Sequence, residues 1–177
     1  MGILVAMAGL PGTGKSTLAR KLEALLPAIV LDKDLIRAAA FPPEKIEYTT
    51  EQDDFVVQMM LMVADYLFSK NPQQIVILDG RPFAHAYQIQ HLVSYAAGAH
   101  TSLRVIQCVC SDETARKRLD QEGQQMVHPA KNRGVELYLR MKAAFEPLTL
   151  PHLTVNTDRP IEKCLAECLA YLRSGGD

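Results

Sequence analysis

Short apolar runs alternate with longer stretches whose apolar residues recur every three or four positions. Ile3-Leu4-Val5-Ala6-Met7, Ala28-Ile29-Val30-Leu31, Ile75-Val76-Ile77-Leu78, Leu103 to Cys110 and Leu153-Thr154-Val155 read as five strands, most of them too continuously apolar for a sheet with one wet face. Between them the pattern predicts helices over Ser16 to Leu26, from about Asp34 to the stop at Phe41-Pro42-Pro43, and from about Glu51 to Ser69. Further helices are expected from Ala84 to Ala97 (closed by Gly98), from Asp112 to about Gln121, over Val135 to Pro147, and from Pro160 to just before Gly175. Thr50 is the expected cap of the long third helix, and Phe55, Met59, Met62, Val63 and Tyr66 are its expected core stripe. Strands alternating with helices imply an α/β fold, a five-stranded parallel sheet with helices on both faces, in one domain over residues 1–177. The polar stretch from Gly123 to Arg133 interrupts the pattern and is the expected mobile lid, about residues 120–134.

The first strand runs into Gly9-Leu10-Pro11-Gly12-Thr13-Gly14-Lys15-Ser16, followed by Thr17. Two glycines five apart, then lysine, then serine form a phosphate-binding pattern, and here it lies between a strand and a helix, as that chemistry requires. Glycines let successive N–H groups turn inward around an anion, and the following helix adds its positive end. Lys15 is placed to reach the β- and γ-phosphates and Ser16 to ligate Mg²⁺.

In an open parallel sheet, ligands gather at the carboxyl ends of the strands. Asp32, Asp34 and Arg37 follow the second strand there, and Asp79 and Arg81 follow the third. Arg116, Arg118, Lys131 and Arg133 flank the polar stretch. Phosphoryl transfer needs a carboxylate to take the proton of the attacking hydroxyl, an acid near Mg²⁺, and cations over the transferring group. Asp34 and Arg37, three residues apart, could instead form a surface ion pair worth roughly 0.2–0.5 kcal/mol. Their place at the exit of a strand favours function, while the choice between Asp32 and Asp34 as the principal acid stays open. Asp79 ends an otherwise apolar strand, where an acid needs a charged partner.

Composition narrows the partners. Nineteen basic against 20 acidic residues give a net charge of −1, so the chain has no general attraction to polyanions, and any nucleic-acid contact would need a local patch. The longest apolar run is too short for a membrane span, and a cytoplasmic location is expected. Cys108, Cys110, Cys164 and Cys168 have no second pair at metal spacing and read as free thiols.

The glycine loop, Asp34-x-x-Arg37 and Leu78-Asp79-Gly80 together resemble the P-loop kinases of the polynucleotide kinase, gluconate kinase and adenylylsulfate kinase kind. The chain is most similar to the small bacterial ATP-binding proteins with an AAA-type label. The likeness extends through Arg133-x5-Leu139 to Phe145-Glu146-Pro147 and to Asn156-Thr157-Asp158. It implies the strand order 2-3-1-4-5 and ATP with Mg²⁺ as cofactors. Gly9 to Thr17, Arg118 and Thr157 would hold the nucleotide, and Ser16 and Asp79 the metal. Lys15, Asp34, Arg37, Arg118 and Arg133 would carry catalysis, with Asp34 as general base and Arg37 on the acceptor side. Relatives carry a second arginine four residues after the position of Arg118. Here Glu122 stands there, so the lid role is expected to move to Arg133, and the choice between Arg118 and Arg133 as the main lid arginine stays open.

The resulting expectation is an ATP-dependent kinase acting on a hydroxyl of a small molecule, as monomer or homodimer. The alternatives are a kinase for a nucleic-acid or tRNA hydroxyl, and a nucleotide-dependent regulatory protein. No Asn/Thr-Lys-x-Asp guanine motif occurs, which argues for ATP over GTP.

Overall fold

The computed structural model describes residues 1–125 and 134–174. Strands β1 (Ile3–Ala8), β2 (Ala28–Asp32), β3 (Ile75–Asp79), β4 (Ser102–Val109) and β5 (Leu153–Asn156) form one parallel sheet in the order β2-β3-β1-β4-β5. Helices α1 (Lys15–Leu25), α2 (Lys33–Ala40), α3 (Thr50–Lys70), α4 (Ala86–Gly98), α5 (Asp112–Gln125) and α6 (Val135–Ala144) lie in the connections, and α7 (Ile161–Arg173) follows β5. This is the P-loop kinase-like α/β architecture.

β1 lies at the centre, so both its faces are covered, and alternate residues serve two cores. Leu4, Ala6 and Ala8 pack under α3 and α4 with Val56, Met60 and Leu92. Val5 and Met7 pack against α1 and α7 with Leu18, Leu22, Cys164 and Cys168. Every residue from Leu4 to Ala8 is fully buried, which fixes the exit of β1 and therefore the loop that follows it. All four cysteines are free thiols, three of them buried. The Cys108 thiol, behind the glycine loop, is pushed up to about 12 by burial.

Several expectations are corrected. Thr49, not Thr50, caps α3, its hydroxyl accepting the Gln52 N–H at 3.2 Å. The stripe expected to be core faces solvent instead. Phe55, Met62, Val63 and Tyr66 are exposed, whereas Val56, Val57, Met60, Leu61, Ala64 and Phe68 are buried. The sequence of α3 is apolar nearly all round, so its periodicity offers two stripes, and only the position of the sheet selects between them. α6 ends at Ala144, three residues before Pro147, and α4 begins at Ala86 behind the cap residue His85. α5 runs to Gln125, so the first part of the expected lid is helix, and the rest of it, with Lys131 and Arg133, lies outside the described residues.

Candidate active site

The loop between β1 and α1 is shaped by backbone. Gly9, Gly12 and Gly14 hold φ of +126°, +74° and +84°. A Cβ on Gly9 would sit 2.3 Å from the Cys108 carbonyl oxygen, so no other residue fits there. Gly14 is the N-cap of α1 and supplies no capping side chain, which leaves the first N–H groups of the helix for a ligand. The Thr13 hydroxyl closes the loop onto the Leu10 carbonyl at 2.7 Å, and the Lys15 ammonium donates to the same carbonyl at 2.8 Å. Just beyond the end of β3, the Pro82 carbonyl accepts the Gly9 N–H at 2.9 Å. Phe83, buried beside it, holds a φ of +51°, a conformation costing roughly 1–3 kcal/mol that turns the chain beneath the loop.

Two cavities flank this loop. The first, about 490 Å³, lies toward α5 and α7 and is lined by Gly12, Gly14, Thr17, Arg118, Thr157 and Arg159, among others. Arg118 fixes that side, donating through Nη1 to the Gly12 carbonyl at 3.2 Å and the Thr157 hydroxyl at 3.0 Å, and through Nη2 to the Thr157 carbonyl at 2.9 Å. The Thr157 hydroxyl donates in turn to the Thr13 carbonyl at 2.9 Å. Arg118 and Thr157 therefore meet at the back of the glycine loop.

The second cavity, about 270 Å³, opens on the other side, where Lys15 and Asp34 share its wall with Lys33, Tyr48, Asp53 and Arg81. Its charged side is a buried cluster at the facing N-termini of α2 and α3. The Arg37 guanidinium donates to Asp34 Oδ1 at 2.8 Å and also to Asp53 Oδ1. Lys33 lies 2.6 Å from Asp53 Oδ1 and 3.7 Å from Asp34 Oδ1. Burial holds the Lys33 ammonium below its ordinary pKa against the pull of Asp53 and Asp34. Arg37 is 1% exposed and stacks over Tyr48 with 5.1 Å from guanidinium carbon to ring centroid. Such a cluster is no surface ion pair; removing one buried partner typically costs about 3–5 kcal/mol.

This geometry separates residues that the sequence left together. The Asp32 carboxylate caps α2, accepting the N–H groups of Asp34 at 2.9 Å and Leu35 at 3.2 Å, whereas Asp34 lines the cavity. Arg37 does not line it; the guanidinium stands behind Asp34 and orients it. Sequence reasoning passed over Lys33, Tyr48, Asp53 and Asp54. Asp53 carried only a weak signal, an acid in the first turn of a helix, which the helix dipole explains without function. Asp54 holds Arg81 at 2.5 Å and accepts the Tyr87 hydroxyl at 3.2 Å.

Asp79 ends β3 opposite Asp32 and is almost fully buried, and its Oδ1 has no hydrogen-bond partner. An unsatisfied buried carboxylate oxygen at the end of the strand beside the loop fits a hydrated cation. Among the described residues, no group of three or more His, Cys, Asp or Glu could hold a metal by itself. No helix among the described residues is long and apolar enough to cross a membrane.

Comparison with solved structures shows the same fold in kinases. The APS kinase CysC of Mycobacterium tuberculosis, solved with AMPPNP and APS, is 23% identical, with 98% of each chain covered and a TM-score of 0.73. A gluconokinase from Sinorhizobium meliloti 1021 is 17% identical, covering 97% of this chain and 91% of that one, with a TM-score of 0.66. Kti12 of Chaetomium thermophilum, solved with ADP-AlF3, is 17% identical over 98% of this chain and all of that one, with a TM-score of 0.68. A comparison with curated proteins finds no match. The model of the AAA domain family matches residues 4–148, from the first strand through α6, and the chain belongs to that family.

Proposed function

We propose that the protein is a phosphotransferase that moves the γ-phosphoryl group of Mg·ATP to a hydroxyl of a small molecule. One observation carries this reading: Lys15 of the glycine loop and Asp34 of the buried cluster line the same cavity, so a phosphate held by the loop faces a carboxylate. The loop and the N-terminus of α1 bind the phosphates, with Gly12, Gly14, Thr17, Arg118 and Thr157 bordering the remainder of the nucleotide. Ser16 and Asp79 would hold Mg²⁺, which screens the phosphate charge when bound. Lys15 leaves the Leu10 carbonyl for the phosphates. Asp34, oriented by Arg37, accepts the proton as the acceptor oxygen bonds to phosphorus and the bond to the ADP oxygen breaks. Arg133 would cover the transferring group from the lid.

A nucleotide-dependent regulatory role is the competing reading, and the commitment of Asp34 Oδ1 to Arg37 favours it. The test is ATP consumption against a panel of hydroxyl-bearing metabolites, repeated with GTP. Acceptor-dependent ADP release with ATP preferred is the expected result. Mg·ATP binding with no acceptor stimulating turnover would instead support the regulatory role.

A further inference from the structure

The acceptor cavity is crowded with charge, yet its charges cancel. Lys33 faces Asp53 and Asp34, Arg37 faces Asp34 and Asp53, and Arg81 faces Asp54. His85, also on the wall, has Nδ1 at 3.0 Å from Glu146 Oε1. On this wall Lys33, Arg81 and His85 are each matched by a carboxylate, and the phosphates of ATP claim Lys15 in the reading above.

An acceptor carrying its own carboxylate, phosphate or sulfate would add a negative charge to this wall, where Lys33, Arg81 and His85 already face carboxylates among the described residues. It would have to stand partly desolvated beside Asp34 and Asp53, or break an ion pair that is itself buried, and either is costly. Carboxylates are hydrogen-bond acceptors only, so Asp34 and Asp53 present lone pairs that suit O–H donors. Other lining residues are different in kind, among them Leu137 and Met141 of α6. A cavity lined by both acceptors and hydrocarbon matches a molecule that carries hydroxyls and an apolar surface.

We infer that the acceptor is an uncharged hydroxyl compound, its hydroxyls directed at the Asp34–Asp53 edge and its apolar side at Leu137 and Met141. The inference rests on the kinase reading for the word acceptor, but the charge balance of the cavity can be tested without it.

That test is a titration with inorganic sulfate, followed by nitrogen-15 NMR. In the wild type, the amides of Gly12 to Ser16 should shift saturably as sulfate enters the anion nest. The Arg81 side chain and the amides of Asp34 and Asp53 should drift only with ionic strength. In Asp54→Asn, which removes the charge of the partly exposed carboxylate paired with the buried Arg81, the Arg81 signal should become saturable, about tenfold or more tighter than any wild-type response there. Saturable sulfate binding at Arg81 in the wild type would overturn the inference.

A second arm measures turnover with matched neutral and anionic skeletons: glucitol and gluconate, ribose and ribose 5-phosphate. A neutral member should be the better substrate of any active pair, and preference for an anionic member would also overturn the inference. Silence from every pair with ATP binding intact counts against the kinase reading, while the sulfate result still decides the charge question.

Discussion

The two sides of the candidate site are built in opposite ways. The nucleotide side is backbone: a run of eight residues whose glycines adopt conformations that others resist, followed at once by a helix N-terminus. The proposed acceptor side is side chains: Lys33, Asp34 and Arg37 from α2 and Asp53 from α3, joined through ion pairs, with Arg81 beyond β3 paired separately to Asp54. Backbone recognition is specified by local sequence and suits a ligand feature shared by every nucleotide, the phosphate chain. Side-chain recognition is assembled by the fold from distant residues and can change one residue at a time. In the proposed reaction the first side can stay fixed while the second sets the acceptor.

Changes on the acceptor side should therefore alter transfer without altering nucleotide affinity. Asp34→Asn keeps the shape of the side chain and loses its basicity, so phosphoryl transfer to any acceptor found should fall by about 10²–10⁴-fold. Stopped assays with the purified variant check this, and a wild-type rate would remove Asp34 from the chemistry. On the other side, Arg118→Ala removes hydrogen bonds to Gly12 and Thr157 that brace the glycine loop. It should weaken ATP by about tenfold, the order expected for charge-assisted hydrogen bonds, and leave the KM of the acceptor unchanged. A shift in the acceptor KM alone would mean that the two sides are not separable at α5.

A smaller effect concerns the stability of the cluster. The folded pKa of Lys33 lies below its ordinary 10.5 because burial disfavours the ammonium. Between that depressed value and about 10.5 the unfolded chain binds more protons at Lys33, so this residue makes stability rise with pH across that window. Lys33→Met should make the slope of Tm against pH less positive across that window. An unchanged slope would show that Lys33 keeps its ordinary pKa despite burial.

The same contrast explains what could be read in the sequence. The strands of the sheet and the glycine loop were legible because each is specified by neighbours in sequence, by continuous apolar runs or by fixed glycine spacing. Asp34 was legible by position, at the exit of a strand, but its separation from Asp32 needed the turn that makes Asp32 a helix cap. Asp53 was not legible. Its partners are 16 and 20 residues away in sequence, and an acid in the first turn of a helix has an ordinary explanation. The buried face of α3 failed for a related reason: Met60 and Met62 are equally apolar, and only packing on β1 makes one core and the other surface.

The division of labour between the two sides is tested most directly by calorimetric titration of Mg·ATP into three proteins: wild type, Lys15→Ala and Asp53→Asn. Wild type should bind, Lys15→Ala should lose about tenfold or more in affinity, and Asp53→Asn should stay within about threefold of wild type. Loss of Mg·ATP binding in Asp53→Asn equal to that in Lys15→Ala, with the fold intact by circular dichroism, would contradict the account.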